Sequence, residues 1–438
     1  MDEIFCRDGQ CEMMPRWTKR FCQSPLKRRL GLAIGALLLV YIIAKLSENN
    51  SHVDDNLIKA DSKNEREIVR KRTKRIDHDN SIHVSDTFIH EQTLQGVVIR
   101  KDGDQFKQIP KKHEISTSLL YTFKTEPRHA SDMFADTPAE NDYYMICPAM
   151  HWHRGKIVAV LRLWINYEGR KHTPKNEWYD NYLYAETFHK NLTKVEPGSL
   201  LGIPSIQQFH YGTGQLDPRL FEINDTLYVN FHMKYPPHNA YERTYVWDYD
   251  NHKLMMPWYD KYPEDQADKN WSSMVINGIL HYVHWINPLI IMRCENITKC
   301  TKIFIEEHSP KLKYGQRGGT PFQLYIWPYY IAITHSVVKT KNNHRLYYAH
   351  VTLLCVEPYE LVYTSDPIEV HNDILSSCPV IRHWIIDEPF IYPTGIIIED
   401  PDTLAVGIHA NDCRSFIIRI KGVAQLARDA IAEHKTKG

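Results

Sequence analysis

The chain has no net charge: Lys plus Arg number 53 and Asp plus Glu number 53 in 438 residues. Nothing in that balance points to nucleic acid, which requires an excess of positive charge. No Cys-x-x-Cys occurs and no His/Cys cluster has zinc spacing, so no metal or other cofactor is expected. Strands do not alternate with helices as a nucleotide-binding α/β fold demands. Asp-x-Asp, a mark of metal-dependent transferases, occurs at Asp248 and Asp250, but also at Asp77 and Asp79, Asp102 and Asp104, and Asp400 and Asp402. Without a nucleotide fold around it, that pattern carries little weight.

Two further absences organise the N-terminal part. Leu30 to Ala44 contains no charge, and Lys45 and Leu46 extend it by snorkelling, to about the shortest length that spans a bilayer. Lys27, Arg28 and Arg29 precede it, which keeps the N-terminus cytoplasmic and makes the bulk of the chain lumenal or extracellular. No small-x-small cleavage site follows, so an uncleaved anchor is expected rather than a signal peptide. The short span suits the thinner membranes of the early secretory pathway. Ser47 to Asn80 has almost no aromatic residue and little apolar periodicity, so it cannot bury a core. It reads as a disordered stem, and Arg72-Thr73-Lys74-Arg75 within it has the form cut by secretory-pathway proteases. The expected organisation is a cytoplasmic tail (1–29), an anchor (30–46), a stem (47–115), a β domain (116–422) and a C-terminal helix and tail (423–438). Golgi or endoplasmic reticulum membrane is the expected location, with a secreted form after cleavage near Arg75.

What is present supports that topology. Asn-x-Ser/Thr sequons follow the anchor at Asn49, Asn191, Asn224, Asn270 and Asn296, more than chance supplies; Asn270 lies inside a motif and is not expected to carry a glycan. Cys6, Cys11 and Cys22 precede the anchor. Cys147, Cys294, Cys300, Cys355, Cys378 and Cys413 follow it and can form up to three disulfides, with Cys294 and Cys300 the best pair because they bracket a short loop. Tyr (26), Trp (10) and His (24) are abundant. Rings beside balanced charge suit sugars, although an aromatic-rich β core accounts for the composition equally well.

From Tyr121 onward the texture is short β runs separated by turns, and one unit recurs. Turns at His153–Lys156, Ile223–Thr226, Ile276–Gly278, Tyr325–Pro328 and Glu399–Asp402 each lead into an apolar strand. A proline or serine lies ahead of each turn: Pro148, Pro218, Ser273, Pro321 and Pro393. Five hairpins, none large enough to bury both faces, predict an all-β five-bladed β-propeller, with Gly422 to Ala432 an amphipathic helix on its outside.

In that fold the residues before each hairpin converge at one end of a central channel. Asp217 and Arg219 belong to the second hairpin. Asp268-Lys269-Asn270-Trp271-Ser272 belongs to the third. Arg317-Gly318-Gly319-Thr320-Pro321 and His335-Ser336 flank the fourth, and Asn411-Asp412 follows the fifth. Singly, each has a plain structural use: a turn-capping ion pair, a loop, a core histidine. Together they place one acid, Asp217, among Arg219, Lys269, Arg317 and His335, which suits a sugar plus an anion. Gly318 and Gly319 would let backbone approach a ligand closely, and Asp412 would accept bonds from sugar hydroxyls.

The ordered series Asp217-Pro-Arg-Leu, Asp268-Lys-Asn-Trp, Gly318-Gly-Thr-Pro with a later Thr334-His-Ser, and Ala410-Asn-Asp-Cys resembles the mannoside phosphorylases of glycoside hydrolase family 130 and their eukaryotic β-mannosyltransferase/phosphorylase relatives. The resemblance runs from about Pro148 to Ile420. It implies a five-bladed propeller, mannosyl transfer with inversion, and Asp217 as the single acid/base. It also implies substrate or phosphate contacts by Arg219, Lys269, Asn270, Arg317 to Thr320 and His335, and sugar contact near Asn411 and Asp412. Leu216 stands where the family has Glu, and Ile286-Asn287-Pro288 stands where it often has His-Arg-Pro, which removes a phosphate-side cation. The expected function is transfer of a mannosyl or similar hexosyl unit from a phosphate-activated donor to a glycan acceptor. The alternatives are a mannoside phosphorylase or hydrolase, and a non-catalytic glycan-binding propeller.

Overall fold

A computed structural model describes residues 4–7, 10–13, 80–102, 105–124, 143–166, 179–205, 213–234, 242–260, 268–383 and 385–436. The chain divides into two units, Met1–Ile76 and Asp77–Gly438. Of the first, only an antiparallel hairpin is described, β1 (Ile4–Arg7) with β2 (Gln10–Met13). The expected anchor, Asn49 and the Arg72–Arg75 cleavage motif lie outside the described residues. Among those described, no helix is long and apolar enough to cross a membrane.

The second unit is built of strands whose turns obey local chemistry. It opens with a long hairpin, β3 (Thr87–Asp102) and β4 (Gln105–Thr122). The stem expected to run to residue 115 therefore ends earlier: Leu94, Val98 and Ile115 are buried in one core cluster and Ile99 in another, so both faces of β3 are covered. A first meander follows, β5 (Tyr143–His153), β6 (Lys156–Asn166), β7 (Tyr179–Phe188) and β8 (Ser199–Leu200), with β9 (Thr213–Gly214) beside β7. The second is β10 (Leu216–Ile223), β11 (Thr226–Lys234), β12 (Glu242–Asp248) and β13 (Lys253–Met255). After β14 (Trp258–Tyr259), the third is β15 (Ser272–Ile276), β16 (Ile279–Ile286), β17 (Leu289–Glu295) and β18 (Lys299–Ile305).

The remaining strands share one ten-stranded sheet. One half holds β19 (Gln316–Arg317), β20 (Gln323–Ile326), β21 (Tyr329–Lys339), β22 (Arg345–Val356) and β23 (Tyr359–Ser365). After the short helix α1 (Asn372–Leu375), the other half holds β24 (Ile391–Asp400), β25 (Thr403–Ala410) and β26 (Arg414–Lys421). The β3–β4 hairpin joins the halves, β3 pairing with β23 and β4 with β26. It thus supplies the outer strand of the last meander from the start of the unit, a long-range closure. The result is an all-β, propeller-like arrangement of curled sheets. Helix α2 (Val423–Lys435) packs outside through Val423, Leu426, Ala427 and Ala430, and Asp402 caps its start by accepting from the Ala424 amide at 2.9 Å.

All five expected hairpins form, each with two residues in the turn. In the first three both turn residues adopt positive φ: Arg154 and Gly155, Asn224 and Asp225, Asn277 and Gly278. That twist matches the flanking strands, which is why Asn and Gly occur there. The first strands of the meanders then pack on one another, β5 on β10 and β24, and β10 on β15 and β24. Glycine permits the closest approach. A Cβ on Gly407 would lie 2.0 Å from the Pro148 carbonyl oxygen, and one on Gly395 2.5 Å from the Met150 nitrogen. Arg419 ties residues 80–86 to the last meander by donating to Glu399, to the Ile82 carbonyl at 2.7 Å and to Asp86. Cys294 and Cys300 are directly opposed on β17 and β18 and form a disulfide.

Gly407→Ala should cost about 1–3 kcal/mol, because backbone on β5 must retreat to admit one methyl. Chemical denaturation would show it as a lowered midpoint with an unchanged slope.

Candidate functional site

The crossing of the first strands leaves one cavity of about 400 Å³. Asp217, Lys269, Asn270, Arg317, His335 and Asp412 all line it, drawn from five separate stretches of sequence. Its wall also contains Cys147, Arg162, Glu242, Arg382, Tyr392 and His409, and on the outer side Lys339, Arg345 and Tyr347.

Asp217 sits on a β-bulge where the β10–β11 register shifts between Leu216 and Arg219. Its φ is +49°, sterically unusual for a residue with a Cβ. The first meander repeats the device: β5 bulges between Ile146 and Ala149, and Cys147, at φ +55°, precedes Pro148 as Asp217 precedes Pro218. Asn270, Asn411 and Asp412 also have positive φ, at 67°, 60° and 55°. Left-handed backbone thus recurs where the meanders meet, and each bulge turns a side chain towards the cavity. Such strain persists only where surrounding structure enforces it.

Two groups hold one oxygen of Asp217. Arg162 Nη1 donates to Oδ1 at 3.0 Å, and the Cys147 thiol donates to the same atom at 3.3 Å. Among the described residues no side chain donates to Oδ2. The carboxylate side chain keeps 20 % of its surface exposed, so that second oxygen can meet a ligand. Burial opposes ionisation of Asp217, but the charges of Arg162, Lys269 and Arg219 outweigh it and hold the carboxyl far below the usual carboxylate range. The other acids of the cavity are committed. Asp412 Oδ2 accepts from Arg382 Nε at 2.6 Å and Oδ1 pairs with His409 Nε2 at 3.1 Å. His409 Nδ1 accepts from the Cys147 amide at 3.2 Å, so the ring proton lies on Nε2 and points at Asp412. Despite its burial, Asp412 is held well below the usual range by Arg382 and His409. Glu242 pairs with Lys269 at 2.7 Å.

The cations divide into paired and unpaired. Arg162, Lys269 and Arg382 each face a carboxylate. Arg317, Lys339 and Arg345 have no carboxylate within salt-bridge distance among the described residues. His335, Val337 and Lys339 alternate along β21, and Arg345 and Tyr347 continue the row on β22, so one sheet face carries these cations. The Arg317 guanidinium lies 4.8 Å over the Trp285 ring.

Several expected ligand contacts have another use. Arg219 is fully buried and does not reach the cavity; it donates to the carbonyls of Gly319, Gly318 (3.5 Å) and Asp217 (3.1 Å). Gly318 and Gly319 approach protein backbone rather than a ligand: added Cβ atoms would lie 2.2 Å from the Asn270 and Ile333 carbonyl oxygens. Thr320 accepts from the Ile333 amide at 3.0 Å inside the core. The Asn411 amide is consumed by backbone, donating to the Leu375 and Cys378 carbonyls and accepting from the Phe390 amide. His335 is a neutral imidazole and not a cation: burial, with Arg219 beside it, lowers its pKa to about 3. His232, which accepts from the Asn270 amide at 3.1 Å, is lowered to about 3 for the same reasons.

Asn191, Asn224 and Asn296 are exposed, whereas Asn270 is buried, with its backbone N–H donated to His232. Asp248 caps a turn by accepting from the Asn251 amide, and Asp250 accepts from the Leu227 amide and from Arg154, away from the cavity. Among the described residues no cluster of acids, histidines and cysteines could hold a metal ion.

Arg162, His409 and Cys147 escape sequence reading in different ways. Arg162 and His409 had a signal, each being an isolated polar residue in an apolar strand, Ile157–Trp164 and Leu404–Ala410. Cys147 had only its place before Pro148.

Neither a protein-family model nor a curated sequence matches the chain. Solved structures do resemble it. A β-1,2-mannobiose phosphorylase from Listeria innocua is 14% identical, with a TM-score of 0.47 over 67% of this chain and 94% of its own. A family 130 structure, described as a glycoside hydrolase targeting β-1,2-mannosidic linkages in Candida mannan, is 11% identical with a TM-score of 0.47, covering 76% and 96%. A GDP-mannose-dependent mannosyltransferase from Leishmania mexicana is 11% identical with a TM-score of 0.43, covering 67% and 94%.

The depressed histidines set a pH dependence. Unfolded, His232 and His335 titrate near ~6.5 and bind protons that the folded state refuses. Stability should therefore fall as pH drops from about 6.5 towards about 3, with a further loss below about pH 4 as Asp217 and Asp412 give up their pairing. Calorimetric melting temperatures at pH 7, 5.5 and 4 check this, and His335→Asn should flatten the upper part of the slope.

Proposed function

We propose that the chain is an inverting glycosyltransferase with a five-bladed propeller domain, moving a mannosyl or similar hexosyl unit from a phosphate-activated donor to a glycan acceptor. One observation carries the reading: among the described residues no side chain donates to Oδ2 of Asp217, in a cavity that also holds Arg317, Lys339 and Arg345, none of which faces a described carboxylate. The mannosyl preference rests on the motif resemblance alone.

The reaction follows from the charges. An acceptor hydroxyl placed against Oδ2 attacks the anomeric carbon, the bond to the donor phosphate breaks, and the hydroxyl proton passes to Asp217. The departing phosphate takes its negative charge onto the wall of Arg317, Lys339 and Arg345. Among the described residues Glu242 is paired with Lys269 and Asp412 with Arg382, so neither is offered as a nucleophile and the anomeric centre inverts. A phosphorylase or hydrolase needs Asp217 protonated to act as acid. The cations around it hold it ionised, which favours the base and hence the transfer direction. The negative charge of a bound donor opposes the field of the cations around Asp217 and so raises its basicity only when donor is present.

The topology belongs to the same proposal. An anchor at Leu30 to Leu46 would place this domain in the lumen of the Golgi or endoplasmic reticulum, with cleavage near Arg75 releasing a soluble form. The uncharged run, the basic residues before it and the exposed sequons at Asn191, Asn224 and Asn296 support that placement.

Full-length protein in detergent, incubated separately with GDP-mannose plus mannobiose and with phosphate plus mannobiose, should yield a lengthened saccharide from the first mixture, read by mass. Release of mannose 1-phosphate from the second mixture alone would overturn the transfer direction. Asp217→Asn should lower kcat about 10²–10⁴-fold while ligand binding persists; binding without turnover in the unaltered protein would make it a lectin. Arg317→Ala, Lys339→Ala and Arg345→Ala should each raise the donor KM roughly tenfold, equal to about 1.4 kcal/mol, and leave the acceptor KM in place.

A further inference from the structure

Four cysteines among the described residues are thiols: Cys147, Cys355, Cys378 and Cys413. Two have their own acceptors, Cys147 on Asp217 Oδ1 and Cys355 on the Glu357 carbonyl, both at 3.3 Å. The other two meet each other. Both residues converge on the Ala410 carbonyl, Cys378 Sγ at 3.7 Å and the Cys413 amide at 2.9 Å. Asn411 Nδ2 holds the Cys378 carbonyl at 2.8 Å, so backbone as well as side chain keeps the pair together. Cys378 is buried and Cys413 half-exposed, which leaves one sulfur open to an external reagent.

The pair lies where a crosslink would reach the candidate site. Four residues after Cys378, Arg382 grips Asp412 Oδ2; Asp412 immediately precedes Cys413. Within the described residues, the segment 376–383 has no helix or strand to brace it.

We propose that Cys378 and Cys413 are a modification site, oxidised by a small disulfide such as oxidised glutathione to an intrachain disulfide that locks the Arg382 segment onto the Asp412 turn. Cys413 exchanges first, its sulfur joining one half of the oxidant while the other half leaves as a thiol. Cys378 then attacks the Cys413 sulfur and expels the second half, also as a thiol. Two protein thiols lose two electrons and two protons, and one oxidant disulfide becomes two thiols. The second step is favoured because Cys378 Sγ already lies against the turn that carries Cys413, so the attack is intramolecular. In this arrangement Arg382 is a positioning residue for Asp412.

The test uses full-length protein in detergent, reduced mildly and then exposed to oxidised glutathione. Peptide mapping without reductant should recover a crosslinked pair containing Cys378 and Cys413, beside the one containing Cys294 and Cys300, with Cys147 and Cys355 still open to alkylation after denaturation. Oxidation should slow hydrogen exchange across residues 376–383 and raise the melting temperature by roughly 5 °C. Cys378→Ser and Cys413→Ser should each abolish both changes. Alkylation of both cysteines after oxidation, stable glutathione adducts on either, or a crosslink to Cys147 or Cys355 would overturn the assignment. Identical exchange in oxidised and reduced protein would overturn the lock. None of these readouts requires turnover, so an absent transferase activity leaves them intact.

Discussion

A guanidinium with no surface exposure holds the centre of this molecule. Arg219 comes from the second meander and donates to the Gly318 and Gly319 carbonyls of the fourth, while its Nη1 lies 3.5 Å from His232, whose ring accepts from Asn270 of the third. A cation taken out of water survives only if its donors are satisfied, and here carbonyl oxygens do most of that. Main chain beside Asp217 and at Gly318 and Gly319 must therefore arrive at fixed positions around it. The two glycines follow from the same requirement, since any side chain at either would strike the neighbouring backbone.

The chemistry of the cavity depends on that buried charge as well. Arg219 lies close enough to depress Asp217, His232 and His335 without reaching solvent. Arg162 does most to keep the carboxylate charged and burial most to keep the imidazoles neutral, and Arg219 adds to both. The open positive charge then falls to Arg317, Lys339 and Arg345 on the outer wall, where an anionic ligand can compensate it. Stability and electrostatics share one origin, so the core cation and the site cations have separate roles although both face the same acid.

Repetition of a backbone device builds the site from unlike residues. Cys147 and Asp217 occupy matching bulges before Pro148 and Pro218, and the two side chains meet head to head. One repeat contributes the carboxylate and the other a thiol that donates to it. Left-handed φ at Asn270, Asn411 and Asp412 extends the device to later meanders. Bulges re-aim side chains that regular strands would point elsewhere, which is how five similar hairpins yield one asymmetric cavity.

Local sequence determined the hairpins. Asn277-Gly278 and Asn224-Asp225 accept positive φ, alternation fixes the register, and Cys294 and Cys300 bracket a loop short enough to close. The gathering of Asp217, Lys269, Asn270, Arg317, His335 and Asp412 in one cavity also accords with their shared place beside the hairpins. Tertiary structure decided which of the named groups a ligand can reach. Arg219 and Arg317 read alike as basic residues near a turn, yet one is buried against carbonyls and the other faces the cavity. Asn411 reads as a polar contact and is spent on backbone. Arg162 and His409 sit inside apolar strands, and only the crossing of sheets brings them to the acids. Burial and partnership depend on strands far apart in the chain, and no pattern within one segment encodes what will pack against it.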